Sequence, residues 1–219
     1  MTYRKLLTKP LDFTERSTIF TSMNNSSDTY QRILESAQEL IHASSYSDIG
    51  VAAICKKANV QKGSFYHFFA SKQELTLAVI DKNGVDLKES IILHAFSQDI
   101  APLDKLKLFL DLIAERQIKI FKRTGQVYGC PIGNLANEMA TQDESIRKKL
   151  DGSFSRLQKT FTQTLQEAVD NKDVLDINDV SLTAKAMIAY FEGAILLAKT
   201  HNDPNMLKQL FPATLNIRF

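Results

Sequence analysis

The chain predicts an all-α protein, and three features carry that expectation. Only eight glycines and five prolines interrupt 219 residues. Apolar residues return every three or four positions through most of the chain, which gathers them on one face of a helix. The two-residue alternation of a half-buried strand is scarce. Composition excludes several classes at the outset: 44% hydrophobic and 24% charged residues are ordinary for a globular chain with a real core. Two cysteines, Cys55 and Cys130, stand without a CxxC pair or a histidine at ligand spacing, so no disulfide framework, metal or cofactor is expected and a reducing cytoplasm fits best. No apolar run approaches the ~20 residues of a membrane span, and no signal-peptide pattern opens the chain, so no membrane partner is expected.

Residues 1–27 show no sustained period and read as a flexible N-terminal arm. Arg4, Lys5, Lys9 and Arg16 would suit a minor groove, but Asp12 and Glu15 dilute them, and Met23 offers an alternative start. Asp28 suits an N-cap, followed by a stripe of Tyr30, Ile33, Leu34, Ala37, Leu40 and Ile41. After a loop over Ser44 to Ile49, Val51, Ile54, Cys55 and Ala58 share one helical face while Lys56 and Lys57 stay in water. Asn59 tolerates the left-handed conformation that ends a helix, so Ala58-Asn59-Val60 reads as a turn. A second short helix, Lys62 to Phe68, sets Lys62, Ser64, Tyr66 and His67 beside the apolar Phe65, Phe68 and Phe69. Between Ile49 and Gln73 there are four lysines and no acid, in a chain whose net charge is only +2. Basicity this local is what a nucleic-acid footprint requires.

Ser71-Lys72-Gln73-Glu74 is a capping box that starts a helix reaching to about Phe96, with Gly84 as the expected weak point. Pro102 opens the next, with Leu106, Phe109, Leu110, Ile113, Gln117 and Phe121 inward. Pro131 begins a short helix to about Ala140, Asp143 and Ser145 a long one to about Asn171, and Asn178 or Asp179 caps another to about Thr200. In that last helix Ala186, Ala189, Gly193 and Ala194 are small enough for a second helix to come close. A short terminal helix follows Asp203-Pro204.

The run Val60-Gln61-Lys62-Gly63-Ser64-Phe65-Tyr66, then Phe69, Ser71-Lys72 and Leu75, resembles the helix-turn-helix of TetR-type (TetR/AcrR) transcriptional regulators. Asn59, Gln61 and Phe68 depart from the usual glycine, serine and histidine, and Ser45 and Gly50 depart from the usual glycine and Ser/Thr cap. The resemblance implies a three-helix DNA-binding domain over 28–74 and a larger helical domain over 75–219 that binds an effector and dimerises. It implies a repressor released from its operator by a small molecule. DNA contacts are expected from Gln61, Lys62, Gly63, Ser64, Tyr66, His67 and Lys72, with Ser64 and His67 reading bases and Tyr66 and Lys72 holding the backbone. The Gly129-Cys130-Pro131-Ile132-Gly133-Asn134 segment and Phe191-Glu192-Gly193 resemble ligand-domain features of one subgroup.

An effector cavity is expected between the helices 75–96, 103–121 and 131–140. Phe109, Ile113, Phe121, Leu135, Met139 and Phe191 would line it, Gln117, Tyr128 and Asn134 would anchor a small, largely apolar ligand, and Cys130 would sit at its wall. Cys130 is either a packing residue or a thiol activated at a helix start. Two chains are expected to pair through the helices 145–171 and 178–200, presenting two recognition helices to an inverted-repeat double-stranded DNA operator. An all-helical enzyme is the rival class, but no nucleophile and base, carboxylate pair or metal cluster stands at a recognisable spacing, and His42, His94 and His201 lie in separate segments. An adaptor without DNA affinity is the third reading.

Overall fold

The computed structural model describes residues 13–219, with side chains from Ser27 onward, and among these the elements are helical. Helix α1 spans Phe13–Ala43. The arm expected over 1–27 lies outside the described residues as far as residue 12, and from Phe13 the backbone is already helical. Asp28 is therefore inside α1 rather than at its cap, and its Oδ2 sits 3.1 Å from Arg32 Nε one turn on.

Helices α2 (Val51–Ala58) and α3 (Lys62–Phe68) follow as anticipated. Asn59 takes φ 53°, ψ 53°, and its N–H returns to the carbonyls of Cys55 and Lys56, so the left-handed residue closes α2 and turns the chain into α3. Ile33, Ala37, Ile54 and Phe65 are fully or almost fully buried where α1, α2 and α3 meet. Tyr30 stacks on Phe69 at 5.1 Å, and Arg32 Nη1 donates to the Ala58 carbonyl at 3.3 Å, tying α1 to the turn.

Helix α4 (Lys72–Leu87) passes through a π-helical turn, Lys88–Ile92, into α5 (Leu93–Phe96) without leaving helical dihedrals. The irregularity thus falls one turn after Gly84, the expected weak point. There the Ser90 hydroxyl donates to the Asp86 carbonyl, the kind of side-chain capture that disturbs a helical ladder. Helix α6 (Pro102–Thr124) ends on Gly125 at φ 73°, and α7 (Pro131–Met139), α8 (Glu144–Asp170), α9 (Val180–His201) and α10 (Met206–Thr214) complete the order. Asp143 caps α8 through the N–H groups of Ser145 and Ile146, and Asp179 caps α9 through that of Leu182.

Two apolar cores result. One joins α6, α8, α9 and α10 around Phe109, which meets Phe161 edge-on at 5.3 Å and lies 5.8 Å from Phe191. The other belongs to α1–α4 but also takes in Leu135, Met139, Ile146 and Leu150. The short helix α7 and the first turns of α8 are thereby built into the base of the helix-turn-helix unit. Asn202, left-handed at the end of α9, accepts from Val127 N–H at 2.9 Å and donates to the Gly125 carbonyl at 3.0 Å, which fastens the 125–130 loop.

Helix α9 is long and apolar enough by composition to cross a membrane, contrary to the sequence expectation, yet it carries Lys185, Glu192 and Lys199 and packs against α8 and α10. Its uncovered face holds Leu182, Ala189, Gly193, Leu196 and Leu197. The apolar stripe of α8 is instead consumed inside the chain: Ile146, Leu150, Leu157, Phe161 and Leu165 are all buried.

Candidate functional site

Helix α3 is anchored from beneath by Phe65, which is completely buried, so its remaining faces point away from the core. Gln61, Lys62, Gly63, Tyr66 and His67 are exposed, and Ser64 is half-buried. Tyr66 keeps 56% of its surface in solvent, a large exposure for an aromatic ring, with only its edge against Phe65 at 5.1 Å. His67 leans on Phe68 at 4.8 Å. Neither Gln61 nor Gly50 makes a side-chain cap, which follows from their chemistry. On α2, Lys57 pairs with Glu39 at 2.9 Å, while Lys56 is exposed. A short, acid-free helix of donors standing proud of a packed base has the shape and chemistry that enter a major groove.

The start of α4 supports this face. Ser71 Oγ accepts from Glu74 N–H at 3.0 Å, and Glu74 reaches back to Ala70 N–H at 2.8 Å, one residue before the expected partner. Lys72 is not a free surface lysine. Its ammonium donates to the Tyr46 carbonyl and lies 3.9 Å from the centre of that residue's ring, and burial lowers its pKa despite Glu138 and Asp48 nearby. The same 44–49 loop is gripped from α7. Burial alone would raise Glu138, but the N–H groups of Ser47 and Tyr46, at 2.7 and 2.8 Å, hold it below the usual carboxylate range.

A cavity of about 280 Å³ opens between α7, α8 and α9, walled by Gly129, Cys130, Asn134, Asn137, Phe154, Glu192, Ile195 and Lys199 among others. Cys130 is the N-cap of α7 and its sulfur accepts from Gly133 N–H at 3.3 Å. Burial, and then the neighbouring Glu192 carboxylate, push the thiol far above its ordinary range, the opposite of an activated thiolate. Burial likewise raises Glu192 to about 7. A Cβ at position 133 would collide with the Glu192 carboxyl where it now lies, so glycine there leaves the room that the carboxyl occupies.

Of the residues expected to line an effector cavity, the structure brings Cys130 and Asn134 to this wall and sends the rest elsewhere. Phe109, Ile113 and Phe191 are buried in the core, with Phe121 packed against it. Leu135 and Met139 face the helix-turn-helix unit. The groove that does lie between α4 and α6, about 660 Å³, is walled by charged residues such as Asp86, Glu89, Arg116 and Lys119 and by none of those expected. Apolar periodicity cannot separate a core residue from a pocket lining, since both face inward. Glu192, Lys199 and Phe154 lay within recognisable helices, but only their meeting in space marks them.

Tyr128 and Gln117 serve a joint. Gln117 Nε2 donates to the Gly129 carbonyl at 3.1 Å, and its Oε1 is buried without a partner among the described residues. The same carbonyl lies 2.9 Å from Nε2 of His42, in the last turn of α1, and the Tyr128 ring meets the imidazole edge-on at 5.5 Å. A carbonyl can only accept, so Nε2 carries the proton; burial, despite the Gly129 bond, holds the imidazole pKa below 6.5. His42, read from sequence as a surface or helix-end residue, thus connects the helix-turn-helix unit to the cavity loop.

The profile described as "Bacterial regulatory proteins, tetR family" matches residues 33–79, and the one described as "Tetracyclin repressor-like, C-terminal domain" matches 102–214. An uncharacterized HTH-type transcriptional regulator of Lactococcus lactis is 34% identical, the alignment covering 85% of this chain and 91% of that one. The transcriptional regulator AcuR of Cereibacter sphaeroides is 32% identical over 81% of this chain and 80% of its own length. A solved regulatory protein TetR from Rhodobacter sphaeroides superimposes with a TM-score of 0.78 at 31% identity, covering 86% of this chain and 97% of that one. With the helix-turn-helix, the helical domain behind it and both profiles in agreement, the chain belongs to the TetR family and is a DNA-binding transcriptional regulator.

Proposed function

We propose that the chain is a homodimeric repressor that holds an inverted-repeat operator and lets go when a small molecule occupies the cavity between α7, α8 and α9. The observation that carries the DNA half of this reading is the exposed, acid-free face of α3 above buried Phe65. Lys62, Ser64 and His67 meet base edges or adjacent phosphates, Gly63 lets the backbone approach, and Gln61 and Tyr66 hold phosphates. Lys72 contributes through its charge and by ordering the 44–49 loop at Tyr46.

Two copies pair through the uncovered face of α9. Leu182, Leu196 and Leu197 keep 43–53% of their surface, and Ala189 and Gly193 between them permit close crossing. Helix α8, also expected at this interface from sequence, has no comparable apolar face to offer. The effector's message leaves the cavity through the Gly129 carbonyl, which faces His42 on one side while the Gly129 backbone lines the cavity on the other. A ligand that binds better to the DNA-incompetent arrangement shifts the dimer toward it. A gel shift with the DNA upstream of the chain's own gene tests the reading: the parent binds at physiological salt and Tyr66→Ala does not. Equal binding by both removes α3 from the interface.

A further inference from the structure

The cavity between α7, α8 and α9 holds an acid and a base that do not pair. Glu192 and Lys199 lie about two turns apart on α9, and neither enters a salt bridge among the described residues. Lys199 Nζ donates to Asn134 Oδ1 at 3.0 Å. An ammonium has three protons, so two remain for the cavity. Asn134 cannot turn away to take another partner, because its Nδ2 is held by the Tyr128 carbonyl at 2.7 Å.

Glu192 faces the other end of the space, with its carboxyl in the room left by Gly133 and beside the Cys130 thiol of α7. Helix α8 contributes Phe154 and no charge to the wall, and α9 itself adds Ile195. With burial raising it to about 7, the Glu192 carboxyl is a donor as well as an acceptor for much of its population near neutral pH. At about 280 Å³ the space falls below the roughly 300–1,000 Å³ of sites for drug-sized ligands.

We propose that this cavity binds a small organic monocarboxylate, its carboxylate on the free protons of Lys199 and its short apolar body against Phe154 and Ile195. An amine is disfavoured at the Lys199 end, where the ammonium repels it and can donate only to an acceptor such as a carboxylate. A carboxylate entering the site strengthens the neutral form of Glu192, because two anions in one cavity repel. Acid binding therefore weakens as pH rises through the titration of Glu192. That binding releases DNA rests on the reading of the chain as an effector-responsive regulator; the binding itself does not.

The test is calorimetric titration of the full-length protein with butyrate, butyramide and n-butylamine, beside a gel shift in the presence of each. Butyrate is expected to bind with a Kd on the order of millimolar, and the amide and the amine not to bind. Lys199→Gln should weaken butyrate at least about tenfold, the scale of a lost charge-assisted hydrogen bond, with Lys199→Arg restoring most of it. Glu192→Gln should keep butyrate binding and remove its pH dependence around neutrality. No butyrate binding, tighter binding of butylamine, or an unchanged butyrate Kd in a folded Lys199→Gln protein each overturns the proposal. Butyrate bound while the operator stays bound supports the site and overturns only its role as the effector cavity. Failure of the parent to bind DNA at all counts against the regulator reading alone.

Discussion

Replacing Gly129 by alanine separates backbone strain from close packing at the joint between the cavity and α1. Gly129 sits at φ 81°, a left-handed conformation that costs a non-glycine residue about 1–2 kcal/mol. Gly125 sits at φ 73° and provides the control, because a Cβ there meets nothing within 4 Å whereas one on Gly129 lies 3.1 Å from Lys199 Cδ and 3.3 Å from Asn134 Oδ1. The lysine methylene can move aside. Asn134 cannot do so without loosening its bonds to Tyr128 and Lys199, at about 1 kcal/mol. Gly125→Ala should thus cost about 1–2 kcal/mol and Gly129→Ala about 1 kcal/mol more, read from urea unfolding at one fixed protein concentration. Gly129→Ala should also weaken operator binding, since the displaced carbonyl no longer meets His42, while Gly125→Ala should leave it unchanged. Equal destabilisation by the two, with equal operator affinity, would refute both the tight packing and the route through His42.

Ser71→Ala should cost about 1 kcal/mol by uncapping α4, and Ser71→Asp should recover most of it, as thermal unfolding can show. Glu192 binds its proton more tightly folded than unfolded, with its pKa rising from 4.5 to about 7. Stability should therefore fall as pH rises between those values, by at most about 1.4 kcal/mol per unit, and Glu192→Gln should flatten that slope in denaturation at several pH values. Leu196→Glu should leave the fold intact and lower the dimer fraction in sedimentation, because the residue is 53% exposed on the uncovered face of α9; an unchanged dimer moves the interface elsewhere.

Much of the fold was legible because it is signalled locally. Asn59 at the turn, the Ser71 and Asp143 caps, Asp179 before α9 and Pro at the starts of α6 and α7 each mark a boundary through their own backbone chemistry. The start of α1 was not, because residues 13–27 carry no apolar period by which a helix could be recognised. Sequence could also not separate Phe109 and Phe191, which fill the core, from residues around a cavity. What marks the cavity is relational: the space Gly133 leaves, Glu192 without a salt-bridge partner among the described residues, and Lys199 reaching Asn134 from another helix. His42 is the same kind of case, since its meaning depends on a carbonyl far along the chain.

Hydroxyl-radical footprinting of the upstream DNA tests the central claim most directly. A dimer that sets α3 of each copy into successive major grooves should protect two symmetric half-sites with centres roughly 34–36 Å, one helical turn or a multiple, apart, and Tyr66→Ala should abolish both together. A single unpaired protected patch, or protection that survives Tyr66→Ala at physiological salt, would contradict it.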